Sequence, residues 1–137
     1  MKTYVIEYMI ALVVFLALDF AWLKTMGPAF YAPELGPLLR TTPDLGVAFA
    51  FYLLFVLGLV VFVIHPAVVT ADAGLGVAVA RAALFGLVAY ATYDLTNLAT
   101  INGFTARVAV VDMLWGAVLS AAVAGITVPT VRWVLAH

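Results

Sequence analysis

Cysteine is absent from the 137 residues, which removes disulfides, thiolate metal sites and cysteine nucleophiles. Charge is scarce: six Lys and Arg with seven Asp and Glu make up 9% of the chain and leave a net charge of −1. There is no basic run, so neither a nucleic acid nor an acidic surface is an expected partner. GxSxG, a phosphate-cradling glycine loop and HExxH are all missing, and with them the signatures of common hydrolases, nucleotide enzymes and metalloproteases. His65 has no second histidine inside a hydrophobic stretch to join it, so haem or paired metal ligation is not expected there.

The remainder is apolar. Hydrophobic residues make up 67% of the chain and mean hydropathy is +1.21, whereas an average soluble domain is about 45–50% apolar. A water-soluble fold of this size could not hide that surface, so the chain belongs in a bilayer with membrane lipids as its surroundings. The N-terminal stretch MKTYVIEYMIALVVFLALDFAW is too long for the apolar region of a secretory signal and contains Glu7 and Asp19. It reads as a retained transmembrane helix.

Crossing the hydrocarbon takes about 20 mostly apolar residues. Four stretches qualify, at about 4–26, 45–64, 78–101 and 106–135. They predict an all-α, single-domain integral membrane four-helix bundle over 1–137. A proline-rich segment carrying Pro28, Pro33, Pro37 and Pro43 follows the first span. Its Phe30, Tyr31, Leu35, Leu38 and Leu39 suit a loop lying in the interface, and each proline is expected to interrupt a helix. The second span is expected to end at His65-Pro66, followed by the small-residue loop AVVTADAGLG. A short INGFTAR turn makes the last two spans antiparallel neighbours.

With four spans, Lys2, Arg81 and Arg132 flank one face and Lys24, Arg40 and Arg107 the other. That balance leaves orientation open under the positive-inside rule. A bacterial inner membrane is the expected location.

Ionisable groups at bilayer depth are costly, so they usually face the bundle interior and mark a functional site. Asp19, Asp94 and Asp112 are the clear cases here, with Glu7 a weaker fourth near the start of the first span. Counting from the helix ends at 1.5 Å per residue puts all three aspartates about 10 Å below one membrane surface. At about 100° per residue, Tyr90, Tyr93, Asp94, Asn97 and Thr100 share about a third of the third helix. In the same way Asp19 and Trp22 share a stripe with Tyr4, Tyr8, Phe15 and Met26, and Asp112 aligns with Gly116, Leu119, Val123 and Thr127, beside Trp115.

If these faces converge, one polar pocket forms from Asp19, Trp22, Tyr90, Tyr93, Asp94, Asn97, Thr100, Asp112 and Trp115. A proton, a basic residue, a metal ion or a cationic ligand must then balance the aspartates. The blander alternatives are interhelical hydrogen bonding that only sets register, Asp19 pairing with Lys24, and Asp112 pairing with Arg107. Trp22 and Trp115 each follow an aspartate by three residues, as LDFAW and VDMLW, and belt or packing roles suit them equally. Gly116 and Ser120, with Ala117, Ala121 and Ala124, form a small-residue face. It serves close packing within the chain or a homo-oligomer.

In YATYDLTNLAT, FLALDFAWL and VDMLWG the chain resembles the bacterial family of four-helix membrane proteins known as domain of unknown function 2177. The resemblance covers nearly the whole chain, including the FY pair after the first span. It implies that Asp19, Trp22, Tyr93, Asp94, Asn97, Asp112 and Trp115 are motif positions. It carries no activity, cofactor or catalytic residue.

Three functions therefore stand as expectations. The first is binding or transport of a small polar or cationic ligand or a lipid head group, with proton coupling. The second is a lipid-modifying enzyme or its accessory subunit, with one aspartate as base and another as acid. The third is a purely structural subunit.

Overall fold

The computed structural model describes residues 1–70 and 74–137. Positions 71–73, the middle of the expected small-residue loop, lie outside the described residues. Helix α1 (Lys2–Met26) passes through a wide π-turn (Gly27–Tyr31) into α2 (Ala32–Leu35) and a 3₁₀ turn (Gly36–Leu38). Helix α3 (Leu45–Leu59) passes through a second π-turn (Val60–Ile64) into α4 (His65–Val69), and α5 (Leu75–Thr100) and α6 (Ala106–Ala136) complete the chain. Among the described residues there are four continuous helical runs long and apolar enough to cross a membrane: Lys2–Leu38, Leu45–Val69, Leu75–Thr100 and Ala106–Ala136.

The helical path continues through Pro28 and Pro66, where the sequence suggested an end. A proline ring clashes with the carbonyl four residues back and donates no hydrogen bond. In both places the helix widens instead: the Ala32 N–H bonds to the Gly27 carbonyl and the His65 N–H to the Val60 carbonyl. A turn closed five residues back makes room for the proline. The consequence for the site is large, because Tyr31 stays on the bundle.

The starts of α3 and α6 are set by short polar side chains. Asp44 Oδ1 accepts from the Val47 N–H at 3.1 Å, and Thr105 Oγ1 accepts from the Val108 N–H at 3.2 Å, each satisfying an orphan amide of a first turn. Between α5 and α6 the chain reverses through Gly103, whose φ of +87° costs glycine nothing because it has no Cβ.

The outer surface is hydrocarbon-like, with Leu54, Phe62, Leu84 and Val118 among many exposed large apolar side chains. In water this surface would be an aggregation hazard; in lipid it is solvated. Inside, Phe15 is fully buried, with the rings of Tyr52 and Phe55 each 5.4 Å away. Helices α5 and α6 approach closely where Gly86 meets Gly116 and Ser120. A methyl on Gly86 would strike the Gly116 carbonyl and Ser120 Oγ, and one on Gly116 would strike the Tyr90 ring. The small residues Gly116, Ser120 and Ala124 are buried.

Candidate functional site

Along α1 the buried positions are Glu7, Ala11, Phe15 and Asp19. This four-residue repeat keeps two carboxylates on one inward stripe, at opposite ends of the buried core. The two ends build different structures.

At the Asp19 end, α1 and α6 exchange partners. Trp115 Nε1 of α6 donates to Asp19 Oδ1 of α1 at 3.0 Å. In the other direction, Trp22 Nε1 of α1 donates to the Tyr31 hydroxyl at 3.1 Å, which donates to Asp112 Oδ1 of α6 at 2.8 Å. The two indoles stack between these bonds, with centroids 4.3 Å apart and planes 4° from parallel. The repeated DxxW thus has a physical meaning: spacing of three puts an acid and an indole on one helix face, and each helix's acid is served from the other helix's side. Tyr31 supplies the extra link. The Tyr52 hydroxyl also lies beside the Asp19 carboxyl.

These groups wall a cavity of about 480 Å³, lined by Asp19, Trp22, Leu23, Ala48, Phe51, Tyr52, Ala89, Tyr90, Tyr93, Asp112 and Trp115. Among the described residues, two carboxylates and six aromatic rings face it, and no lysine, arginine or histidine does. A second cavity of about 680 Å³ adjoins it under the proline-rich segment; Leu23, Tyr93 and Asp112 border both. Asp94, Tyr31, Arg40 and Thr41 are in the lining of this outer chamber. Asp94 has no exposed surface, neither of its oxygens has a hydrogen-bond partner, and its carboxyl faces that of Asp112.

Of the nine residues expected at the site, the structure gathers Asp19, Trp22, Tyr90, Tyr93, Asp112 and Trp115 around the inner cavity and puts Asp94 in the wall of the outer one. Asn97 lies beside Tyr93 but lines neither chamber. Thr100 is exposed, and its hydroxyl donates to the Thr96 carbonyl of its own helix at 2.7 Å. The local ion pairs considered for the aspartates do not form. Arg107 instead bonds Glu34 at 3.1 Å, which also accepts from Thr105 Oγ1 at 3.0 Å.

Tyr31, Phe51 and Tyr52 join the chambers although the sequence does not point to them there. Tyr31 was assigned to the interface because Pro28 read as a stop. Tyr52 and Phe51 sit in an otherwise featureless apolar span, where a lone tyrosine was the available signal. At the far end of the α1 stripe, buried Glu7 meets part-buried His65: His65 Nδ1 lies 3.1 Å from Glu7 Oε1 and 2.9 Å from Oε2, with the Tyr4 ring stacked on the imidazole at 3.7 Å. At about 100° per residue, Glu7 and Asp19 stand about 120° apart, so the stripe of Tyr4, Tyr8, Phe15, Asp19, Trp22 and Met26 leaves Glu7 out, and it is the packing that buries both acids. Among the described residues, no group of three or more His, Cys, Asp or Glu side chains is placed to hold a metal ion.

Four long apolar helices with an acid- and aromatic-lined cavity inside the spans define an integral membrane protein of the small-bundle class. Residues 4–129 match the family described as predicted membrane protein (DUF2177), and the chain belongs to it. No curated protein matches the chain, and no solved structure does.

Proposed function

We propose that this protein binds an organic cation in the inner cavity, in the cytoplasmic membrane of a bacterium. One observation carries the reading: Asp19 and Asp112 line the same aromatic-walled chamber, with no basic residue in its lining. Acidic oxygens supply attraction that is strong in a low-dielectric span, and tryptophan and tyrosine faces favour a cation further. The volume of about 480 Å³ is within the range of small-molecule sites. Transport is the use this binding serves: a carboxyl that exchanges its proton for a cation couples the two movements.

The test is calorimetric titration of the detergent-purified protein with ethanolamine, choline and tetraethylammonium. Wild type is expected to bind members of this panel, and Asp19→Asn or Asp112→Asn to weaken binding by about tenfold or more, the effect of losing one charge-assisted contact. Acid should weaken binding as well, because a protonated carboxyl no longer attracts a cation. Uptake of the bound cation into proteoliposomes separates a carrier from a receptor. Absence of binding across the panel would sink the reading.

A structural role has its own supporting observation, since Asp19 and Asp112 each already accept a hydrogen bond from another element. Under that reading the asparagine variants lose thermal stability while wild type binds no cation.

A further inference from the structure

Asp94 is fully enclosed, and both its oxygens lack a partner. A buried acceptor in that state costs free energy that some donor must recover. The carboxyl beside it is that of Asp112, which can meet it only by sharing a proton; Asp112 accepts from Tyr31 through Oδ1 and keeps Oδ2 for another donor. Asp112 is also a residue common to both chambers. The missing donor therefore belongs on the outer-chamber side of Asp112, where Asp94 is in the wall. A primary ammonium has three N–H donors and a positive charge, so it can bridge two carboxylates. A quaternary ammonium has no N–H and cannot.

The outer chamber supplies the opposite charge. Arg40, beside Thr41, lines it, and a guanidinium with a neighbouring hydroxyl is suited to a phosphate group. The two chambers thus offer acids at their junction and a cation at the outer rim.

From this arrangement we infer that the cation bound here is a primary ammonium carried on a zwitterion, seated between Asp94 and Asp112 with its phosphate at Arg40. The inference rests on the organic-cation reading above and narrows it to a ligand of the phosphoethanolamine type. Such a group occurs free in water as a phosphomonoester and in lipid head groups as a phosphodiester, and both carry the primary ammonium and the anionic phosphate oxygens that the chambers would meet.

The experiment compares phosphoethanolamine, ethanolamine, phosphocholine and choline by titration into wild type, Asp94→Asn and Arg40→Gln in detergent. Wild type should prefer each primary amine over its quaternary counterpart by about tenfold or more, the worth of one charge-assisted hydrogen bond. Asp94→Asn should erase that preference. Arg40→Gln, at an exposed position, should erase the advantage of phosphoethanolamine over ethanolamine without weakening ethanolamine binding, because it removes a like charge from the chamber. Native mass spectrometry from nanodiscs of mixed phosphatidylethanolamine and phosphatidylcholine separates the sources: retained phosphatidylethanolamine marks a lipid ligand, whereas binding of free phosphoethanolamine without lipid retention marks a soluble one.

Equal affinity for amine and quaternary probes, with Asp94→Asn neutral, would mean that Asp94 and Asp112 merely share a proton, and it overturns the inference. The organic-cation reading survives that result if Asp19→Asn and Asp112→Asn still weaken binding. If wild type binds none of the four probes, the inference falls, and the organic-cation reading falls with it when tetraethylammonium does not bind either.

Discussion

Trp22 and Trp115 lie face to face, with ring centroids 4.3 Å apart and planes 4° from parallel, and their N–H groups serve acids on opposite helices. Trp115 holds Asp19 directly at 3.0 Å, while Trp22 reaches Asp112 through the Tyr31 hydroxyl. The stack and the two hydrogen-bond paths lock α1, the π-turn after it and α6 into one unit at the cavity wall. Four predictions follow from this unit and its surroundings.

Trp115→Phe keeps a ring in the stack but deletes the N–H that Asp19 accepts. Interhelical hydrogen bonds in membranes are worth about 0.6 kcal/mol on average and up to about 1.7. A double-mutant cycle of Trp115→Phe with Asp19→Asn, read by unfolding in mixed micelles, should show coupling within that range. Additive effects would mean that the bond contributes nothing.

Tyr31→Phe removes one hydroxyl and with it two hydrogen bonds, from Trp22 and to Asp112. The expected loss is about 1–3 kcal/mol, because two polar groups are left without their partner. The near-ultraviolet circular dichroism of the indole pair should weaken with it. An unchanged spectrum would indicate that the stack needs no tether from the π-turn.

Glycine substitutions should separate by position. Gly116→Ala drives a methyl into the Tyr90 ring, and Gly86→Ala drives one into the Gly116 carbonyl and Ser120 Oγ. Overpacking of this kind costs about 1–3 kcal/mol, and Gly116→Ala should also displace Tyr90 from the cavity wall and weaken cation binding. Gly27→Ala, where a Cβ meets nothing within 4 Å, is the tolerated control in the same thermal assay.

At the far end of the bundle, His65→Ala strands a fully buried Glu7. His65 is 20% exposed and Glu7 fully buried, so removing His65 should cost about 1–3 kcal/mol, the penalty of leaving one buried polar group without its partner. The double variant Glu7→Leu with His65→Ala should therefore be more stable than His65→Ala alone, as measured by unfolding midpoints. The reverse order would show that Glu7 is held by contacts other than His65.

Much of this protein was legible from residue order. Bilayer residence followed from composition, because too few polar residues exist to cover a water-facing surface. The spans followed from run length, since apolar stretches long enough to cross the hydrocarbon leave the backbone little choice but helix. The inward placement of Asp19 and Asp112 followed from cost and periodicity. Proline was read less well. A proline forbids a regular α-turn, but it does not forbid a wider one, and local sequence does not say which the chain will choose. That single ambiguity hid Tyr31, and it put the end of the second span at His65 when the helix runs on to Val69.

Sequence by itself determined the solvent, the helices and the inventory of acids and aromatics, since each depends on local hydrophobicity and on periods of 3.6 residues. Tertiary structure decided the pairings. Whether Asp19 meets Lys24 or Trp115, whether Asp112 meets Arg107 or Tyr31, and whether Asp94 finds any donor depend on which helix faces touch and at what height. Those are set by the close approach of α5 and α6 at Gly86 and Gly116 and by the wide turn at Gly27–Tyr31. Both bring together residues far apart in the chain, and no window of neighbouring residues contains that information.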